Sequence, residues 1–299
     1  MPEKIVIDTD IGDDVDDAIA AGFALRWPEV EVLAFTTCHV VTRKRCRMLA
    51  KLLKAFGAEG VPVAPGLTRP MRPMPPEEAE RLETERPWQY AFVREGDPEV
   101  PAGGADAVET LYAALAAHPG EVTVVAIGPL TNVADLLRAH PDAAGLAKAI
   151  AVMGGDAPGS GKREHNFAMD PEAARLVLRA PTRVFMGTWE VTRRVVLLEK
   201  EVAALAASAD PGCRALAENI ELWRPQQRKK PGPVVYDLAA ILWAVRPEMF
   251  ATETLRVDVA LDGPERAQCV GREDAPAVEV SMDMRHEEAR DLLMEVLAG

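Results

Sequence analysis

The feature that most constrains this chain is an acidic loop directly after its first apolar stretch. Residues 4–7 lead into Asp8-Thr9-Asp10-Ile11-Gly12-Asp13-Asp14-Val15-Asp16-Asp17-Ala18, in which six carboxylates fall within ten residues. An apolar run that ends at a glycine-containing turn predicts a buried strand, and residues 18–25 predict the start of a helix. Carboxylates crowded into one loop repel one another unless they bind a cation or take up protons.

A hard divalent cation explains this loop better than a solvated acidic turn, which is the alternative. Ca²⁺ binds six to eight oxygen ligands, and Mg²⁺ binds six in a stricter octahedron. An EF-hand fits poorly, because the sixth position from Asp8 is Asp13 rather than Gly and the twelfth is Ile19 rather than Glu. A phosphatase-type Asp-x-Asp-x-Thr nucleophile loop also fits imperfectly, since Gly12 stands where Thr or Val is expected.

The composition predicts a cytoplasmic protein that binds a small molecule or a metal. The 299 residues are 48% hydrophobic, which suffices for one large α/β domain or two smaller ones. A net charge of −13 argues against nucleic-acid polymers and anionic membranes as partners. The four cysteines lack metal-site spacing and predict free thiols in a reducing compartment. The first strand follows Met1 too closely for a signal peptide, and no apolar run reaches the ~18 residues of a membrane helix.

The hydrophobic pattern predicts alternating strands and helices. Strands are expected at residues 4–7, 30–37, 61–63, 121–127, 149–153 and 182–186, and helices at 43–56, 105–118, 133–138, 171–179, 199–207 and 238–245. This order predicts an α/β fold with a mainly parallel, mixed central sheet flanked by helices, and ligands at the carboxyl ends of its strands. Residues 65–104 contain eight prolines and are expected to be irregular, either a lid or a surface excursion. Residues 189–191 are expected to form a loop.

Three further segments fall where such a sheet places its ligands. Gly128-Pro129 follows one strand, Glu164-His165-Asn166 precedes the helix start at Asp170-Pro171, and Asp237 heads the apolar helix at 238–245. Asp237 and Asn132 each also have a plainer interpretation, as side chains that cap the helix that follows.

Taken together, these segments resemble the nucleoside hydrolases, the inosine–uridine-preferring N-ribohydrolase family. The motifs are the N-terminal Asp-x-Asp-x-Gly…Asp-Asp-Ala loop, Ile127-Gly128-Pro129-Leu130-Thr131-Asn132, Met153-Gly154-Gly155, Glu164-His165-Asn166-Phe167-Ala168-Met169-Asp170-Pro171-Glu172-Ala173-Ala174 and Tyr236-Asp237. The resemblance implies one Rossmann-like domain over residues 1–299, assembled as a homodimer or homotetramer. It also implies a Ca²⁺-dependent hydrolysis of ribonucleosides that releases ribose and a free base.

The resemblance also assigns roles to residues of this chain. Asp10 would be a calcium ligand and the general base, Asp16 would bind the ribose hydroxyls, and the remaining calcium ligands would be Asp17, the Ile127 carbonyl and Asp237. Glu164 and Asn166 would hydrogen-bond the ribose. The loop carries two extra residues, so Asp13 or Asp14 could share these roles. The chemistry agrees, because carboxylates stabilise an oxocarbenium-like sugar, a metal-bound water is more acidic, and an all-oxygen site selects calcium or magnesium.

The chain departs from the family pattern where the base would bind. Tyr236 replaces a histidine assigned as general acid, the asparagine that often follows the second strand is replaced within residues 36–41, and residues 156–163 lack another. The usual His-Gly-x-x-Gly region is not recognisable in residues 77–97. Candidate contacts to the leaving group are Tyr236, which would act as the catalytic acid, His165, Trp189 and Trp223.

Three alternatives follow from these departures. The chain could be a calcium- and ribose-binding homologue with impaired turnover, or a glycosidase that acts on a riboside other than a nucleoside. It could also be a Mg²⁺-dependent phosphohydrolase with Asp8 as nucleophile and Asp10 as acid/base.

Overall fold

The computed structural model describes residues 1–72, 74–84, 87–99, 105–227 and 232–299. Its described part contains one nine-stranded sheet with the order β3-β2-β1-β4-β5-β6-β9-β7-β8. The strands are β1 (Glu3–Thr9), β2 (Val30–Thr37), β3 (Val63–Pro65), β4 (Val122–Ala126), β5 (Ala149–Met153), β6 (Val184–Gly187), β7 (Phe250–Val259), β8 (Cys269–Gly271) and β9 (Ala277–Met284). All neighbouring pairs are parallel except β7, which runs antiparallel to β8 and β9. The predicted mixed, mainly parallel sheet is confirmed.

Thirteen α-helices are present in the described residues. They are α1 (Asp16–Arg26), α2 (Thr42–Ala55), α3 (Pro76–Thr84), α4 (Ala107–Ala117), α5 (Thr131–Ala139), α6 (Ala143–Leu146), α7 (His165–Met169), α8 (Pro171–Leu178), α9 (Trp189–Thr192), α10 (Glu199–Ala207), α11 (Pro211–Trp223), α12 (Leu238–Val245) and α13 (His286–Ala298). Short 3-10 helices lie at Trp88–Phe92, Arg224–Gln226, Pro247–Met249 and Gly263–Glu265. None of the helices in this described part is long and apolar enough to cross a membrane.

The sheet separates two apolar layers, because successive side chains of a strand point to opposite faces. Ile5 and Ile7 of β1 pack in one layer with residues of α1, α11, α12 and α13, whereas Val6 packs in the other with residues of α4, α5 and α8. Central strands covered on both faces are nearly continuous runs of apolar side chains, and β4 (Val122–Ala126) contains a single polar residue, Thr123. Full burial of each such apolar side chain stabilises the fold by ~1.5–3 kcal/mol.

The register of the central strands places three loops side by side. Asp8 of β1 lies beside Ala126 of β4, and Ala126 lies beside Val152 of β5. The segments that follow β1, β4 and β5 therefore leave the sheet at one edge, where ligands of parallel α/β sheets bind.

Several predicted elements are confirmed residue for residue: Val30–Thr37, Ala149–Met153, Glu199–Ala207 and Leu238–Val245. The strand expected at 61–63 lies two residues later, and residues 189–191 belong to a short helix rather than a loop. The segment 65–104 is less irregular than predicted, because it contains α3 and the 3-10 helix Trp88–Phe92. Pro76 occupies the first helical position of α3, where proline is favoured. Residues 73, 85–86 and 100–104 of this segment lie outside the described part.

Candidate active site

A cavity of about 1020 Å³ opens at the edge where the loops after β1, β4 and β5 meet. Most of its lining side chains are acidic or carry rings. The lining includes Asp10, Asp13, Asp14, Asp16, Asp17, His39, Trp88, Ile127, Asp156, Glu164, His165, Asn166, Trp189, Tyr236 and Asp237. Of the residues to which the nucleoside hydrolase resemblance assigns a catalytic, metal-binding or substrate-binding role, all except Trp223 lie along this cavity.

The acidic loop turns back on itself before α1 begins. Gly12 has φ of +123°, a conformation that side-chain-bearing residues avoid, and a Cβ there would lie 2.7 Å from Cβ of Pro87. Asp16 and Asp17 are the first residues of α1, where the helix dipole favours negative charge. The Thr9 hydroxyl donates a hydrogen bond to the Asp17 carboxylate. Both carboxylates are therefore buried and oriented toward the sheet edge.

Three carboxylates meet at this edge. Oxygens of Asp16, Asp17 and Asp237 all lie within 4.8 Å of one another, and the three residues are buried. Asp237 precedes α12 but makes no capping hydrogen bond with its side chain, so the capping interpretation is wrong. Its Oδ2 atom is buried without a hydrogen-bond partner. A buried, unpartnered carboxylate oxygen beside two other carboxylates suits a hard cation with oxygen ligands.

The electrostatics of the cluster agree with this assignment. Burial, and then the charges of Asp10 and Asp16, raise the pKa of Asp17 well above its usual value. Burial, and then the charges of Asp16, Asp17 and Asp10, do the same to the pKa of Asp237. Burial also raises the pKa of Asp10, against the opposing effects of Arg45 and His165. Ionised carboxylates are costly here unless a positive charge compensates them.

Arg45 of α2 hydrogen-bonds to three residues of the acidic loop, a role that the sequence prediction missed. It is 1% exposed, and its Nη1 atom donates to the carbonyls of Asp10 and Ile11, the latter at 2.8 Å. Its Nη2 atom binds Oδ2 of Asp13 at 2.7 Å. In addition, Nε2 of Gln89 donates hydrogen bonds to the carbonyls of Asp13 and Asp14. Hydrogen bonds from α2 and from the 3-10 helix Trp88–Phe92 thus hold Asp13 and Asp14 in place.

Glu164 and Asn166 hydrogen-bond to the backbone at or just beyond the ends of β4 and β5. The Glu164 carboxylate accepts hydrogen bonds from the backbone N–H groups of Gly155, Asn166 and Phe167, at 2.9 to 3.1 Å. Burial raises the pKa of Glu164, and these hydrogen bonds oppose the rise. Nδ2 of Asn166 donates to the carbonyls of Ile127 at 3.1 Å and Met153 at 3.0 Å. A carbonyl oxygen has two lone pairs, so the Ile127 oxygen can accept a second partner.

Ring side chains form another part of the cavity wall. Tyr236, His165 and Trp189 lie along it as predicted, and the Trp189 ring contacts Lys162 Nζ, 4.2 Å from the ring centroid. Trp88, which was not predicted, lines the cavity while 47% exposed. The prediction that Trp223 contacts the leaving group is wrong. Trp223 is 2% exposed and packs in the apolar core, because its spacing places it on the buried face of α11.

Asp8 and Asn132 serve the framework rather than the chemistry. Asp8 is fully buried, and its Oδ1 atom accepts hydrogen bonds from Thr36 Oγ1 at 2.6 Å and Asn132 Nδ2 at 2.8 Å. Burial raises its pKa to about 7. Asp8 is absent from the cavity lining, which removes the support for its role as a phosphohydrolase nucleophile. Asn132 lies inside α5 and makes no cap, so that interpretation is also wrong.

Comparisons with known proteins agree with this geometry. The sequence model of the inosine-uridine preferring nucleoside hydrolase family matches residues 5–291. A curated relative, the non-specific ribonucleoside hydrolase RihC of Shigella boydii serotype 4, is 32% identical over 100% of this chain and 99% of its own length. A solved plant nucleoside hydrolase, PpNRh1, superposes with a TM-score of 0.88 at 25% identity, covering 100% of both chains. A purine-preferring ribonucleoside hydrolase from Gardnerella vaginalis shares the fold, with a TM-score of 0.84 at 23% identity over 99% and 98% of the two chains.

The family match spans nearly the whole described sheet, and the acidic loop, the Glu164–Asn166 segment and Asp237 all converge on one cavity. The chain therefore belongs to the inosine-uridine preferring nucleoside hydrolase family and is a hydrolase that acts on N-glycosyl bonds.

Proposed function

We propose that this chain hydrolyses the N-glycosidic bond of ribonucleosides, releasing ribose and a free base, with a calcium ion held by Asp16, Asp17 and Asp237. The observation that carries the proposal is the three-carboxylate cluster, with its unpartnered Asp237 oxygen, at the wall of a cavity large enough for a nucleoside. The curated relative named as a non-specific ribonucleoside hydrolase supports a broad substrate range.

The donor set favours calcium. Asp10 and Ile127 line the same cavity as the cluster, and the charge of Asp10 contributes to the raised pKa of both Asp17 and Asp237. Five protein groups can thus offer oxygen, and substrate hydroxyls and water can complete the six to eight ligands that calcium prefers. Oxygen donors alone argue against zinc or copper.

The residues of the chain divide the chemistry between them. A bound calcium ion would make its water more acidic and would orient it. Asp10 accepts the proton of the attacking water, and the buried Arg45 beside it favours the ionised carboxylate that this role requires. Glu164 and Asn166 orient the ribose from the β5 side. The surrounding carboxylates stabilise the positive charge that develops on the sugar as its bond to the base breaks.

The departing base requires a proton or a hydrogen bond. Tyr236 lies along the cavity, directly before Asp237, and we infer that its hydroxyl donates to the base. A tyrosine hydroxyl is ordinarily a weaker acid than an imidazolium. We therefore expect Tyr236 to act as a hydrogen-bond donor with modest catalytic effect.

Two further properties remain inferences from the chain itself. The four cysteines are free and buried, which supports a reducing, cytoplasmic location. Assembly as a homodimer or homotetramer is the expectation from the family resemblance, and sedimentation of the purified protein would test it.

A ribose-release assay tests the proposal. The purified protein would be incubated with inosine, adenosine, guanosine, uridine or cytidine, in calcium or after chelator treatment. We expect release from at least one nucleoside, lost with the chelator and restored by calcium. Asp10→Ala should remove turnover. Release of ribose that is insensitive to the chelator, or an active Asp10→Ala variant, would contradict the assigned roles.

A further inference from the structure

We propose that His39 is a specificity-determining residue that hydrogen-bonds the departing base, and that Arg45 holds it in place. The inference rests on the proposed nucleoside hydrolase function and deepens it. The family resemblance assigns no role to either residue, although His39 lies within residues 36–41, where an asparagine of the family pattern is replaced.

The position of His39 places it beside the reacting groups but outside the carboxylate cluster. It follows β2, whose last residue, Thr37, lies beside Thr9 at the end of β1. β4 flanks β1 on the other side and leads to Ile127. His39 lines the cavity, and its ring meets that of His165 edge-on, with centroids 6.3 Å apart and an interplanar angle of 81°. The two imidazoles therefore form part of the cavity wall beyond the end of β2.

The backbone holds His39 in an unusual conformation. His39 and Val40 have φ of +62° and +48°, and left-handed geometry is rare for a side-chain-bearing residue and an outlier for a β-branched one. Such conformations persist where surrounding contacts impose them, and they cluster at functional sites. Nε of Arg45 donates to the His39 carbonyl at 3.0 Å.

Arg45 thereby couples the two loops that flank the cavity. The guanidinium that holds the His39 carbonyl also binds the carbonyls of Asp10 and Ile11 and the carboxylate of Asp13. A planar guanidinium with five fixed N–H donors suits this task, whereas lysine has a single flexible ammonium. The position of His39 relative to Asp10 is thus set by one buried side chain.

The chemistry of His39 matches a heterocyclic base better than a sugar. Burial, Arg45 and His165 lower its pKa to about 3, so the ring is neutral and offers one donor and one acceptor. Bases carry donors and acceptors in patterns that differ between inosine, adenosine and uridine. In the proposed function, Glu164, Asn166 and the carboxylate cluster bind the sugar hydroxyls, which leaves the base as the partner for His39.

The test compares base discrimination in His39→Asn and His39→Gln with the wild type. Asparagine tolerates left-handed φ, so His39→Asn should fold, and a melting curve would verify this. We expect kcat/KM to fall about tenfold or more for some of the five nucleosides and less than threefold for others, through loss of one hydrogen bond. The calcium concentration that gives half of the maximal activity should shift less than twofold. His118→Asn, at the C-terminus of α4, is the matched control.

Two outcomes would overturn the proposal. An equal fall for all five nucleosides would mean that His39 affects the sugar or the loop rather than the base. Unchanged kinetics in both variants would mean that it does not contact the substrate.

Arg45→Lys tests the positioning role through base discrimination rather than overall rate. We expect Arg45→Lys to alter the ratios of kcat/KM between nucleosides when His39 is present. In the His39→Asn background it should change these ratios less than twofold further, because both substitutions act through the side chain of His39. An equal further change in both backgrounds would refute the coupling.

The failure of this inference can be distinguished from failure of the proposed function. If the wild type releases ribose from no nucleoside, the function fails, and calorimetric binding of hypoxanthine and uracil to the wild type and His39→Asn then tests the contact. Equal affinities of the two proteins for both bases would overturn it.

Discussion

Replacing Asp237 by asparagine should have opposite effects on stability with and without calcium. Oxygens of Asp16, Asp17 and Asp237 lie within 4.8 Å, and two unit charges at that separation repel by ~3.5 kcal/mol at an effective dielectric constant of 20. Proton uptake relieves part of this cost in the chelated protein, because burial, and then the charges of neighbouring carboxylates, raise the pKa values of Asp17 and Asp237. Asp237→Asn removes one of these charges. We therefore expect the chelated variant to be more stable than the chelated wild type, by ~1 kcal/mol or more at pH 7.5.

In calcium, the wild type should be more stable than Asp237→Asn. A ligand at 1,000 times its Kd stabilises a protein by ~4 kcal/mol, which corresponds to a rise of about 6 °C in the melting temperature of a chain of 299 residues. Asp237→Asn loses a charged ligand and should show less than half of this rise.

Scanning fluorimetry in chelator, calcium and magnesium measures both effects. Asp291→Asn is the matched control, because Asp291 is an exposed aspartate of α13 with a side chain 77% accessible. The reasoning is refuted if the chelated Asp237→Asn variant melts below the chelated wild type, or if calcium raises both melting temperatures equally.

Three further changes test other parts of the site. Burial raises the pKa of Asp8 in the folded state to about 7, so the folded state binds more protons than the unfolded state between pH ~4 and 7. The free energy of unfolding of Asp8→Asn, measured by urea titration, should therefore rise relative to that of the wild type as pH increases through this range. A difference that stays constant with pH would contradict this. Gly128→Ala would place Cβ 2.6 Å from Cys38 Sγ and 2.8 Å from Asp10 Oδ1; we expect kcat to fall ~100-fold with the displaced carboxylate, and wild-type turnover would show that Asp10 tolerates the shift. Tyr236→Phe should lower kcat more than it changes the affinity for ribose, and an equal loss of both would assign Tyr236 to sugar binding.

Much of the fold follows from local patterns in the sequence. Strands β4 and β5 are mainly apolar runs with a glycine one or two residues beyond their ends, and α10 and α12 are rich in the helix-forming residues Ala and Leu, so their predicted positions agree with the structure. The segment 65–104 was harder to predict, because its many prolines obscure the helix-forming sequence of α3. The antiparallel strands β7 and β9 pair over long distances in the sequence, and their pairing depends on tertiary context.

The position of the acidic loop was predictable for a related reason. Asp10, Asp16 and Asp17 follow the end of β1, and the topology of a parallel sheet brings strand ends together. Asp237 precedes α12 and directly follows no strand of the described part, so its place beside the loop depends on the fold. Trp223 misled the prediction, because an aromatic residue before a basic loop can lie on either face of its helix.

Arg45 illustrates a signal that was present but not used. It lies four and seven residues before Leu49 and Leu52, and so on the apolar face of α2. An arginine on a buried face requires acceptors, and the nearby loops have to provide them. His39 had no comparable signal, since its backbone conformation and its contact with His165 depend on the folded loops.

The most direct test of calcium-dependent hydrolysis is a joint titration of the chelator-treated protein. Calcium would be added in steps, while bound ion per chain and ribose release from the best nucleoside substrate are measured in the same samples. We predict that both rise together and level off at one ion per chain, and that Asp17→Asn shifts both curves to higher calcium. Full ribose release before any calcium binds, or binding of calcium without any gain in release, would contradict the role assigned to the carboxylate cluster.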